Sequence, residues 1–160
     1  MIVNMTPSES AIAQMLAVMR NTTARQNGVK DKQMGKQDPI EIDRDGIIAE
    51  MAFGKAFNLY PDLSIYPRKG GADLMGRNKK KIDVKATRYK TGKLVIHIDK
   101  PVDEVDVYAL AIVDGDDVDL IGYIESENAI KPENIKNLGH GEGYVIDQEE
   151  LIKFKIKGTT

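Results

Sequence analysis

Gly71-Ala72-Asp73-Leu74, followed after a short basic turn by Lys81-Ile82-Asp83-Val84-Lys85-Ala86-Thr87, is the stretch from which the fold is read. In its second half Ile82, Val84 and Ala86 alternate with Asp83, Lys85 and Thr87, the period of two that marks a half-buried strand. Asp83 and Lys85 therefore leave the same face of that strand, one pleat apart. With Asp73 on a neighbouring strand, two carboxylates and a lysine are expected on a single patch beside an apolar layer. Burying such charges is costly unless they hold a metal or one another, so the pattern reads as a site.

Two helices are expected upstream. Thr6-Pro7-Ser8-Glu9 is a capping box with proline at the first helical position, and Gly28 ends the segment, giving a helix over 6–28. Ile12, Met15, Leu16 and Met19 supply its expected buried stripe. Arg20 and Arg25 near its end are read as complements to the helix dipole. After a polar loop at 29–37, Asp38-Pro39-Ile40-Glu41 opens a second helix that runs to about Asn58. Glu50 lies within it, with Gly46 and Gly54 about one turn to either side. Each glycine costs a helix roughly 1 kcal/mol relative to alanine, which points to a close approach near Glu50.

Downstream the chain reads as strands. Leu63–Tyr66, the Asp73 segment and the Asp83 segment are expected to form a three-strand meander, followed by strands at 94–98, 105–113 and 118–124. Asp114-Gly115 marks a hairpin turn. Residues 133–138 are expected as a short helix, 144–146 as a strand and 147–150 as a last helical turn. The order implies one α/β (α+β) domain over 1–160, with a core at 38–125 and C-terminal elements at 126–157.

Composition narrows the function. The chain has 160 residues, enough for a core without staples, and no cysteine, which excludes disulfides and thiol chemistry. No apolar run approaches the roughly 20 residues of a membrane helix, and the start lacks a secretion signal. A soluble cytoplasmic protein with no membrane partner is expected. The net charge is −2, but it is unevenly spread. Between Arg68 and Lys93 ten basic residues face only Asp73 and Asp83, a local field suited to an anionic polymer.

Glutamate on a helix, then aspartate, then Asp-x-Lys is the order of motifs in the PD-(D/E)XK nuclease superfamily, which this chain resembles through Glu50, Asp73, Asp83 and Lys85. The resemblance covers roughly residues 38–125, and Ala72 stands where the family pattern has proline. It implies a restriction-endonuclease-like core, a mixed sheet flanked by helices, in a small stand-alone enzyme. It further implies a Mg²⁺-dependent deoxyribonuclease, with Mn²⁺ able to substitute, that hydrolyses phosphodiester bonds in DNA. Asp73 and Asp83 would be direct ligands with the Val84 carbonyl as a third. Glu50 would bind a second ion or orient the attacking water, and Lys85 would position or deprotonate that water. Arg77, Lys79, Lys81, Arg88 and Lys90 would hold the phosphate backbone, with Thr87 at the edge of the site. A homodimer or a helper protein would fit the small size. The competing readings are a catalytically inactive nucleic-acid-binding module of the same fold and an acidic structural or adaptor protein.

Other motifs carry less. His97 and His140 are too few and too far apart for a histidine zinc site, and His97 reads as a structural or rim residue. Gly139 to Gly143 reads as a surface loop because no strand leads it into a long helix. Asp114 to Asp117 lacks the twelfth-position glutamate of a calcium loop.

Overall fold

The computed structural model describes residues 1–29, 38–66, 71–139 and 141–155. The polar loop at 30–37, Arg68, Lys69 and His140 lie outside the described residues. The fold is mixed α+β. Helix α2 (Pro39–Phe57) packs on one face of a five-stranded mixed sheet, and α1 (Pro7–Gln26) packs on α2. Its strands are β1 (Ile2–Asn4), β2 (Leu74–Met75), β3 (Lys81–Thr87), β5 (Val107–Asp114) and β6 (Asp117–Glu125), in the order β1-β6-β5-β3-β2. Only β3 and β5 run parallel. A second, antiparallel sheet, β4-β8-β7, comprises β4 (Leu94–His97), β7 (Ile135–Asn137) and β8 (Glu142–Ile146). A short helix α3 (Ser126–Ala129) follows β6.

Both helices begin where their caps require. Thr6 and Glu9 close a reciprocal capping box, at 3.2 Å and 2.7 Å, and the Asp38 carboxylate accepts the Ile40 amide at 2.8 Å. Helix α2 ends at Asn58 in the left-handed conformation. Gly54 belongs to this reversal: a Cβ there would lie 2.8 Å from the Leu59 carbonyl oxygen. Its glycine therefore serves chain packing, whereas a Cβ on Gly46 would meet nothing within 4 Å.

Strand β5 is buried along seven successive residues because both faces of the sheet are covered. Val107, Ala109, Ala111 and Val113 join the helix-side core, while Tyr108 and Leu110 join a second core with Leu94, Ile96 and Ile146 of the small sheet. Registry carries this alternation into β3. Ile82 and Val84 pair with Val107 and Ala109 on the helix side, so Asp83 and Lys85, opposite Tyr108 and Leu110, face the other way.

Four expectations are corrected. First, α1 buries Ala13, Leu16 and Ala17, and leaves Ile12, Met15 (64 % exposed) and Met19 outward. Close approach of α1 to α2 favours the small residues of the stripe one step round the helix. Second, the segment expected as a strand at 63–66 forms none. The Ser64 amide bonds the Asp62 carboxylate at 2.8 Å, and Arg20 takes the Asp62 and Ser64 carbonyls at 2.6 and 2.8 Å. Side chains thus satisfy the backbone groups a ladder would have used. Third, β2 is only two residues long, and Asp73 lies just before it. Fourth, the helix expected at 133–138 is one 3₁₀ turn (Pro132–Asn134) followed by β7, which pairs with β8. The Asn134 side-chain amide ties that turn back by donating to the Asn128 and Ala129 carbonyls, at 3.0 and 2.8 Å.

Candidate active site

Strand β2 stops at the point where the expected site begins. The Asp73 amide still bonds the Ile82 carbonyl at 2.8 Å, and then the Asp73 carboxylate replaces the missing strand by accepting the Val84 amide at 2.8 Å. A strand residue's N–H and C=O point to the same side, so the Val84 carbonyl also faces this edge, beyond the last β2 pair. The notch therefore gathers the Asp73 carboxylate and the Val84 carbonyl on one rim.

Asp83 is 3 % exposed. Lys85 straddles its carboxylate, with Nζ 2.8 Å from Oδ1 and 3.0 Å from Oδ2, and Lys100 Nζ lies 3.7 Å from Oδ2. Hydrogen-bond geometry is met only at Oδ2, so Oδ1 is held by charge alone. This buried carboxylate is compensated by two ammonium groups, of which Lys85 was expected and Lys100 was not.

Glu104 and Tyr108 complete the same neighbourhood. Glu104 Oε1 accepts the Gly71 amide at 2.8 Å and lies 3.2 Å from Lys100 Nζ. The Gly71 amide first, with Lys100 and Lys85 adding to it, holds the Glu104 carboxyl below its ordinary value against a smaller opposing effect of burial. Tyr108 is fully buried, and burial, reinforced by Asp83 and Glu104, pushes its phenol far up. Ser126 beside it gives its hydroxyl hydrogen to the Val102 carbonyl at 2.7 Å. Lys100, Glu104 and Tyr108 were missed because they fall outside the motif. The only sequence signal was Tyr108 inside an apolar run.

Glu50 is buried on the opposite side of the sheet from Asp83. Its Oε2 lies 3.9 Å from Arg20 Nη1. It borders an open cleft of about 590 Å³ between α1, α2 and the end of β3, and shares its walls with Val84 and Lys85. Asp73 and Asp83 are not among its lining residues. Among the described residues no three acids or histidines converge as a ready metal cage. A ligand set drawn from Asp73, Asp83 and the Val84 carbonyl supplies only hard oxygens, which suits a partly hydrated Mg²⁺.

The expected phosphate-binding residues divide. Arg88 bonds Asp45 through Nε and reaches Glu41 at 3.2 Å through Nη1, and Asp45 is also held by Arg44 at 3.2 Å. The Asp45 bond raises the already high Arg88 pKa. Arg88 is thus a strut between β3 and α2. Lys80 pairs with Glu125 at 3.1 Å, and Lys81 Nζ donates to the Asp103 carbonyl at 2.9 Å. Arg77, Lys79 and Lys90 are exposed. Thr87 Oγ1 accepts the Tyr89 amide at 3.2 Å, shaping the turn after β3. His97 is an exposed rim residue whose Nδ1 accepts the Asp99 amide at 3.2 Å.

No helix among the described residues is long and apolar enough to cross a membrane. No protein-family model matches the chain, and no curated protein matches it.

Proposed function

We propose that this chain is a divalent-metal-dependent nuclease that hydrolyses phosphodiester bonds in DNA. The observation that carries the reading is the bond that the Val84 amide donates to the Asp73 carboxylate. It ties the lone upstream acid to the middle of Asp83-Val84-Lys85, so the motif's two halves form one structural unit. That unit belongs to a mixed sheet, the sheet type the resemblance implies, with helices over one face and the small sheet over the other.

Asp73, Asp83 and the Val84 carbonyl would hold the ion. When bound, a hard divalent ion supplies charge neutralisation on the phosphate and a more acidic water. Lys85 is the group placed to stabilise developing negative charge, since it carries the cation nearest Asp83 and is 36 % exposed at its side chain. Lys100, 3.7 Å from the Asp83 oxygen that Lys85 hydrogen-bonds, adds a second positive charge beside that carboxylate. Glu50, reaching the cleft from α2, would position a water on the far side of Lys85. The cytoplasm is the compartment this reading implies.

The test is incubation of the purified protein with labelled linear and circular DNA in Mg²⁺ or Mn²⁺, beside an Asp83→Ala variant of verified fold. Cleavage that chelator and Asp83→Ala both abolish is expected. Cleavage that survives either one overturns the assignment.

A further inference from the structure

The cleft bordered by Glu50, Val84 and Lys85 carries a second feature that the cleavage chemistry does not use. Tyr66 and Tyr89, 72 % and 69 % exposed, both stand on its walls. Tyr89 sits in a turn whose amide is taken by Thr87 Oγ1 and whose carbonyl accepts the Gly92 amide at 2.8 Å. Tyr66 follows the segment that Arg20 clamps through the Asp62 and Ser64 carbonyls. Two exposed aromatic faces therefore stand on one cleft, each next to backbone that side chains hold.

The lining says what could enter. Arg20, Arg25, Lys85 and Arg88 stand on the cleft walls with Asp43, Asp45 and Glu50, and Asp45 is taken up by Arg44 and Arg88, so the cleft offers cations that a strand's phosphates can meet. Ile42, Ile47 and Ile65 provide apolar wall. Gly46 opens the middle of it, since a Cβ there would meet nothing within 4 Å. A volume of about 590 Å³ is of the size of pockets that take a small ligand or a single base. Aromatic platforms beside basic groups are how proteins hold single strands, because every base has a π-face.

We infer that this cleft binds an unpaired nucleobase of a single-stranded nucleic acid, stacked against Tyr66 and Tyr89, with the strand leaving past Lys85. The inference rests on the nuclease reading for its direction, and names single-stranded or frayed substrate as the class that reaches the site.

Binding is measured in chelator, so that no turnover is needed, by anisotropy of a labelled oligothymidylate, the same strand with abasic positions, and a duplex. The chain has no tryptophan and six tyrosines, so tyrosine emission reports stacking directly. The parent is expected to prefer the intact strand to the abasic strand and the duplex, with emission quenched on binding. Tyr66→Ala and Tyr89→Ala should each weaken strand binding roughly 5- to 150-fold, the range of one lost base stack. The phenylalanine variants should bind like the parent. Their salt dependence should stay unchanged, because no phosphate contact is lost. Gly46→Leu should fold at least as well, gaining helix propensity, yet lose strand affinity by filling the cleft. Alanine variants or Gly46→Leu that bind like the parent overturn the inference, as does indifference to abasic positions. Tyrosine-dependent strand binding in a protein that never cleaves would leave the inference standing and remove the nuclease reading alone.

Discussion

The Asp73 carboxylate accepts the Val84 amide at 2.8 Å, so the acid that precedes β2 continues that strand's ladder with its side chain. Asp73→Ala leaves the amide of a buried residue unpaired, at a cost of about 1–3 kcal/mol. Asp73→Asn keeps an acceptor and should lose little stability while losing metal affinity. Urea denaturation and Ca²⁺ calorimetry on both variants separate the two roles. Equal stability of Asp73→Ala and the parent would show that the bond does not support β3.

Lys85 and Lys100 occupy the Asp83 carboxylate that the ion would share. Lys85→Ala should therefore bind Ca²⁺ at least as tightly as the parent, yet cleave about a hundredfold more slowly or worse, the scale of losing one electrostatic stabiliser. Lys85→Arg keeps charge without a removable proton and should recover little activity. Parent-like cleavage by Lys85→Ala would make the Asp-x-Lys match a coincidence.

Arg88 bridges Asp45 and Glu41, and only Arg44 remains on the buried Asp45 once it is gone. Arg88→Ala is expected to cost about 1–3 kcal/mol of stability, with a smaller effect on DNA affinity measured well below the melting transition. A variant of unchanged stability and much weaker DNA binding would return Arg88 to the phosphate.

Lys80 and Lys81 are engaged by Glu125 and the Asp103 carbonyl, while Lys79 stands exposed in the turn with φ 62°. Each phosphate contact contributes about 0.9 to the log–log salt slope on duplex DNA. Replacing all three lysines with alanine should lower that slope by about one unit, most of it reproduced by Lys79→Ala alone. A drop near three units would mean that the Lys80 and Lys81 contacts yield to DNA.

Glu104 has its carboxyl held below the ordinary value of 4.5 by the Gly71 amide and Lys100. A depressed carboxyl contributes stability that is present above 4.5 and is lost as pH falls through the folded value. Glu104→Gln should therefore be less stable than the parent at neutral pH, with the gap closing in acid. Urea midpoints at about pH 7 and pH 3 check this, and a gap that is constant with pH would count against it.

The elements legible in the sequence are those whose signals are local. The Thr6 capping box and the Asp38 N-cap start helices because their hydrogen bonds reach no more than three residues, although Glu41 turns to Arg88 and closes no second box, and the alternation of 82–87 puts Asp83 beside Lys85 in any sheet. The Asp114-Gly115 hairpin is equally local, with Gly115 at φ 63°. Which face of α1 is buried was not legible: Ile12, Met15 and Met19 have the right spacing, but the distance to α2 decides that Ala13 and Ala17 fit there. Nor was the company of Asp83. Lys100, Glu104 and Tyr108 reach it because β3 pairs in parallel with β5, a partner that no local pattern names. The same pairing sets Asp83 on one side of the sheet and Glu50 on the other, so the charges of the motif come from its residues, but their arrangement comes from the order of the strands.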